Sequence, residues 1–192
     1  MYTLPNAKIN IGLNITGCRS NGYHDLQTIF YPIPLTDSLE INYLRNSDLA
    51  YELLTSGLKV QGSIEDNLII KVFASMQKEF HLPAISINLS KHIPMGAGLG
   101  GGSSDAAFML KLLNDFFSLD LTDADMEQRI LSFGADCPFF IRNKPTYAEG
   151  IGNVFSPITI SLKDYFVVLV KPAIHISTKE AYSKVVPKVP SE

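Results

Sequence analysis

Residues 93–107 read IPMGAGLGGGSSDAA, with five glycines in the seven positions from Gly96 to Gly102. Just before them AISINLS alternates, with Ile85, Ile87 and Leu89 on one face, which predicts a strand. Just after them Ala106, Ala107, Met109, Leu110, Leu113 and Phe117 fall on one helical stripe. Strand, glycines and helix in that order put unobstructed backbone N–H groups at a helix N-terminus. The donors there have no intrahelical partner and the helix dipole is positive, so the stretch predicts an anion site. Ser103 and Ser104 can cap the helix or offer hydroxyls to a phosphate or its metal. The competing reading, a flexible linker, does not suit a segment between a strand and a well-patterned helix, and five glycines carry an entropic cost.

Two familiar phosphate loops fail the test. The P-loop pattern GxxxxGK[ST] needs a lysine after the glycines, and none follows. The dinucleotide pattern GxGxxG matches at Gly96, Gly98 and Gly101, but it needs an acidic residue at the end of the next strand. Asp120 and Asp123 have about the right spacing yet sit beside a helix start, and Pro94 intrudes where a buried parallel strand would end. A nicotinamide or flavin enzyme is therefore a minor alternative.

Upstream of the glycines, KINIGLNI alternates from Lys8 to Ile15. Ile9, Ile11, Leu13 and Ile15 are expected on one face, and Lys8, Asn10, Gly12 and Asn14 on the other, where they meet either solvent or a polar site. Ser20-Asn21-Gly22 signals a turn. YHDLQTIFYPIPL predicts a second strand interrupted by Pro32 and Pro34, DSLEINYL a third, and Leu58-Lys59-Val60 a short one. Leu68, Ile69, Val72, Phe73, Met76 and Phe80 form a helical stripe behind Asn67. Thr122-x-x-Asp125 is expected to box the start of a helix that ends before Gly134. A strand through Thr146-Tyr147-Ala148, a Gly150-Ile151-Gly152 turn and an apolar strand YFVVLV follow. A capping box, Ser177 to Glu180, opens a short last helix. Strands come early and helices late, so the expected class is α+β.

The bulk composition is that of an ordinary globular chain: 192 residues, 46% hydrophobic, 18% charged, net charge -3. That balance speaks against a nucleic-acid surface, which needs a basic patch. No apolar run approaches the length of a membrane span. The two cysteines, Cys18 and Cys137, fit neither a zinc nor a redox spacing and are expected as free thiols. With no leader in MYTLPNAKIN, a cytoplasmic protein is expected.

PMGAGLGGGSSDAA resembles the second motif of the GHMP small-molecule kinases, and PNAKINIGLNI resembles their first. AKINIGLNITGCRSNGYHDLQT, GLGGGSSDAA and GADCPFF, in that order, are most similar to the branch whose members phosphorylate 4-diphosphocytidyl-2-C-methyl-D-erythritol. The three motifs are spread over residues 7–140. The resemblance implies a GHMP N-terminal domain with a two-layer, ribosomal-protein-like β-α fold over residues 1–165. Residues 166–192 would then begin a C-terminal domain that is largely absent, leaving the site open to water and a seam that favours self-association.

The resemblance also implies ATP-dependent phosphorylation of the 2-hydroxyl of that substrate, a step of the non-mevalonate isoprenoid pathway. It implies ATP and Mg²⁺ as cofactors, a small-molecule partner, and a monomer or homodimer that binds neither nucleic acid nor membrane. Pro94, Gly96, Gly98, Leu99, Gly100, Gly101, Gly102, Ser103 and Ser104 would hold the ATP phosphates, and Asn67 the adenine. Ser103 or Ser104 would be the metal's hydroxyl ligand. Asp136 would take the proton of the attacking alcohol, with Lys8 holding that carboxylate ionised. By itself Lys8 reads as a surface lysine. Asn10, Tyr23, His24, Ile151, Thr178 and Tyr182 would bind the substrate, with Tyr23 and Tyr182 stacking on cytosine and His24 at its polar edge. The alternatives are another GHMP kinase acting on a non-nucleotide alcohol, and a nucleotide-binding module without turnover.

Overall fold

The computed structural model describes residues 1–45, 48–60, 62–172, 181 and 185–188. Its strands and helices form two four-stranded sheets with the helices packed against them, the α+β arrangement expected from the order of elements. One sheet has the order β1 (Tyr2–Thr3), β4 (Ser38–Tyr43), β6 (Ile85–Lys91), β5 (Tyr51–Gly57), with β5 and β6 parallel. The other runs β2 (Asn6–Cys18), β3 (His24–Thr36), β7 (Thr146–Glu149), β8 (Val154–Pro157), antiparallel throughout. The helices are α1 (Leu68–Phe80), α2 (Gly101–Phe117), α3 (Asp123–Ile130) and the short α4 (Phe139–Arg142).

The period-two pattern of β6 buries Ile85, Ile87 and Leu89 against the apolar stripes of α1 and α2, where Ile69, Phe73, Met109, Leu110 and Leu113 are closed to solvent. Each such side chain contributes about 1.5–3 kcal/mol by leaving water. The same core takes in Phe30 from β3 and Phe139 and Phe140 from α4, so it runs under both sheets. Thr122 and Asp125 form the expected capping box of α3, each side chain accepting from the other's backbone N–H.

The strict alternation expected of β2 breaks at Gly12. Ile11 pairs with Ile29 and Leu13 with Thr28, so Gly12 is an extra residue. Its φ of +65° suits glycine, and its carbonyl accepts a hydrogen bond from the Thr28 hydroxyl. The bulge reverses the faces: Lys8, Asn10, Leu13 and Ile15 share one side with Phe30, Thr28 and Leu26. Ile15 and Lys8 are thus both buried on the inner face. Pro32 and Pro34 do not interrupt β3, because only Thr28 to Phe30 pair with β7 and no neighbour asks the prolines for an N–H there.

Two other expectations need correction. The strand placed at Leu58-Lys59-Val60 lies earlier, at Tyr51–Gly57, where it pairs with β6. YFVVLV is no strand: no partner ladder reaches it among the described residues, and Phe166, Val168 and Val170 are exposed. The last helix expected from Ser177 lies outside the described residues, as does most of 166–192. Among the described residues no helix is long and apolar enough to cross a membrane.

Candidate active site

The loop between β6 and α2 folds as its composition predicts. Gly96, Gly98 and Gly100 have positive φ (64°, 71° and 70°) while Ala97 and Leu99 between them do not, an alternation that turns successive N–H groups toward one concavity. Gly100 is the N-cap of α2 and offers no side chain, so the first amides of the helix carry no cap. A Cβ on Gly100 would stand 2.8 Å from Phe140 Cζ and 3.1 Å from Lys8 Cγ. Only glycine lets the loop approach both elements that closely.

β2 brings Lys8 to the loop. Its backbone N–H donates to the Leu99 carbonyl at 2.9 Å. Its side chain is buried, and its ammonium has three partners: Asn10 Oδ1 at 2.7 Å, Asp136 Oδ2 at 3.4 Å, and the Phe30 ring with its centroid 4.6 Å away. Three partners are what a desolvated lysine needs to remain inside a fold. The surface lysine that residue statistics predict is therefore a buried cation on the inner face.

Asp136 sits in a turn between Gly134 and Pro138 whose flanks are anchored in the core. Cys137 and Phe140 are closed to solvent, Phe139 nearly so, and Phe139 packs edge-on against Phe30 at 5.3 Å. Phe30 thus touches both the lysine and the helix behind the aspartate, which fixes their separation. The Asp136 side chain remains 35% exposed, open to a ligand from the solvent side. It does not cap α4, whose N-cap is Pro138. A Cβ on Gly152 would lie 3.5 Å from Asp136 Oδ1, so the end of the Gly150-Ile151-Gly152 turn passes close to that carboxylate.

Ser103 and Ser104 differ. Ser104 is fully buried and its hydroxyl has no hydrogen-bond partner, whereas Ser103 is half-buried. Ser103 hydrogen-bonds the Cys137 thiol, and burial, reinforced by the Asp136 charge, pushes that thiol up to about 11 despite this bond. Of the two hydroxyls, only that of Ser103 belongs to a residue that is not closed to solvent. Among the described residues no cluster of three or more His, Cys, Asp or Glu could hold a metal ion unaided.

Lys8, Asn10, Asp136, Leu99, Gly100 and Ser103 therefore converge, with Pro94, Gly96, Gly98, Gly101, Gly102 and Ser104 on the same loop and helix start. Asn67 is at the rim: it caps α1, its Oδ1 accepting from Ile69 N–H at 3.2 Å, and its neighbour Leu68 lies against Gly102. Tyr23 and His24 lie apart, at the turn joining β2 and β3, where Tyr23 is exposed. Thr178 and Tyr182 lie outside the described residues.

Sequence reasoning passed over three buried ionisable groups, Asp37, Lys91 and Asp105. Lys91 carried a signal: it is the fourth member of the series Ile85, Ile87, Leu89, Lys91, the buried face of β6. Asp105 likewise precedes Met109 by four residues on the buried stripe of α2.

Residues 67–144 match the family described as GHMP kinases N terminal domain. Over 190 residues the chain is 57% identical to the 4-diphosphocytidyl-2-C-methyl-D-erythritol kinase of Bacteroides fragilis, covering 99% of this chain and 69% of that protein. The enzyme of the same name from Bacteroides thetaiotaomicron is 54% identical with the same coverage. A crystal structure of 4-(cytidine 5'-diphospho)-2C-methyl-D-erythritol kinase superposes with a TM-score of 0.69 at 31% identity, covering 84% of this chain and 56% of that one. The mevalonate kinase of Methanococcus jannaschii, at a TM-score of 0.58 and 17% identity, covers 83% of this chain and 56% of its own, and shares the fold.

Proposed function

The chain belongs to the GHMP kinases, in the branch of the 4-diphosphocytidyl-2-C-methyl-D-erythritol kinases, and we propose that it transfers the γ-phosphoryl group of ATP to the 2-hydroxyl of 4-diphosphocytidyl-2-C-methyl-D-erythritol. The observation that carries this reading is the 3.4 Å approach of Lys8 Nζ to Asp136 Oδ2 beside a glycine cradle. The acceptor oxygen attacks the γ-phosphorus, the bond to the β,γ-bridging oxygen breaks, and ADP departs. Asp136 takes the proton that the hydroxyl gives up. Lys8 favours the ionised carboxylate and offsets charge growing on the attacking oxygen.

The cradle suits a triphosphate, because its positive-φ glycines let successive amides face one side and the helix start has no side-chain cap. Ser103 would offer its hydroxyl to a Mg²⁺ carried in with ATP, which would supply neutralisation of charge on the transferred group. Asn67 Oδ1 is engaged in capping, so a contact to adenine falls to its Nδ2. Tyr23 has an open ring face for cytosine, with His24 next to it on β3, and Ile151 borders the acceptor. Thr178 and Tyr182, which lie outside the described residues, are assigned to substrate binding in this reading by the family resemblance alone.

The test is product analysis by phosphorus NMR with ATP, Mg²⁺ and the cytidylylated substrate. The expected result is ADP and a new phosphomonoester on the 2-oxygen. No ADP above background, or an equal rate with 2-C-methyl-D-erythritol lacking its cytidine diphosphate, contradicts it.

A further inference from the structure

Beneath the glycine cradle lies a group of charges that the chemistry above does not use. Lys91 ends β6, Asp37 stands between β3 and β4, and Asp105 is in the second turn of α2; none is more than 4% exposed. Lys91 Nζ donates to Asp37 Oδ2 and, at 2.6 Å, to Asp105 Oδ2. Asp37 Oδ1 accepts from the backbone N–H of His92 at 2.5 Å and of Ile93 at 2.8 Å. The Asp37 N–H in turn donates to the Pro5 carbonyl at 2.8 Å.

Stability alone does not account for the cluster, since apolar residues of similar volume commonly serve a fold as well as a buried ion group does. Two atoms here are also left unsatisfied: Asp105 Oδ1 and Ser104 Oγ are buried without partners. The position of the cluster is more telling. Lys91 ends the strand before the glycine loop and Asp105 lies one turn into the helix after it, 14 residues apart, and their contact closes the loop at its base. A Cβ on Gly101 would be 2.9 Å from Ile93 Cγ2 and 3.4 Å from Lys91 Nζ, so the first residue of α2 rests on the ammonium.

We propose that Lys91, held by Asp37 and Asp105, is a positioning residue for the nucleotide phosphates. It pins both ends of the loop and seats Gly101, so that the cradle's amides hold their directions before the anion arrives. Donors fixed in advance need no reorganisation when charge develops. The lysine that this loop lacks for direct contact is present one layer below. The inference rests on the kinase reading for the identity of its anion.

The experiment measures ADP affinity by calorimetry in Mg²⁺, the KM for ATP and for the alcohol, and the urea midpoint. It compares wild type, Lys91→Met and Asp105→Ala, the last of which opens the loop's base and leaves the Lys91–Asp37 pair. The expected result is an ADP Kd and a KM for ATP raised about tenfold to a hundredfold. The KM for the alcohol is expected to stay within about threefold, and the amides of Gly100 to Ser104 to exchange hydrogen faster. If Lys91→Met does not fold, Asp105→Ala carries the test. A lowered urea midpoint with wild-type ADP affinity and an unchanged KM for ATP overturns the inference and leaves the kinase reading standing. A wild-type protein that binds no ADP overturns the kinase reading, and this inference with it.

Discussion

Cys137 stands between the two halves of the candidate site, next in sequence to Asp136 and hydrogen-bonded to Ser103 at the start of α2. Burial pushes its thiol up to about 11, so at pH 8 it remains protonated and shielded, while Cys18 is exposed. A thiol reagent at pH 8 is expected to label one cysteine of the native protein rapidly, Cys18, and the second only after denaturation. Rapid labelling of both would contradict the burial of that turn. At this scale the sequence was legible where a motif carried the residue and illegible where packing did. Asp136 and the glycines stood out, but Lys8 carried no sign of burial by itself. Its environment comes from Phe30, Asn10 and Asp136, of which only Asn10 is a near neighbour in the chain. Asp37 had no local signal, because its ligands are backbone amides more than fifty residues away.

The element that decides the site's shape is the turn from β6 into α2. Its tightest point is Gly100, where positive φ combines with the contacts to Phe140 and Lys8. Gly100→Ala is expected to displace the loop from Lys8, raising the KM for ATP about tenfold or more while lowering stability by about 1–3 kcal/mol. Kinetics and urea unfolding check the two parts, and a variant that matches wild type in both would show that the approach is not tight. Elements with strong periodicity, such as α1, α2 and β6, were legible because one face of each is buried along its whole length. β2 was only half legible. A single extra residue at Gly12 reverses the faces, and one glycine in a strand pattern does not announce a bulge. YFVVLV shows the opposite failure, since its apolar composition predicts a strand whose partner ladder the described residues do not supply.

At the scale of the whole molecule, the buried charges beneath the cradle tie stability to pH. Burial, only partly offset by Lys91, raises the Asp105 carboxyl from 3.8 to about 7. Between those values the folded state holds a proton that the unfolded chain has released, so Asp105 makes stability fall as pH rises from about 4 to about 7. Asp105→Asn keeps an acceptor for Lys91 and removes the titration. It is expected to flatten that slope, so that its advantage over wild type in urea midpoint, measured without nucleotide, grows from pH 5 to pH 8. Parallel profiles would contradict it. The α+β class was legible from the order of elements, whereas the division into two sheets, the pairing of β5 beside β6 and the ion cluster at the sheets' junction depend on contacts between distant segments. Asp136 as the base of the phosphoryl transfer is tested by comparing turnover with nucleotide affinity in Asp136→Ala. The predicted result is a kcat lowered about 10²- to 10⁴-fold with an ADP Kd within about twofold of wild type. A variant that keeps near-wild-type turnover would contradict it.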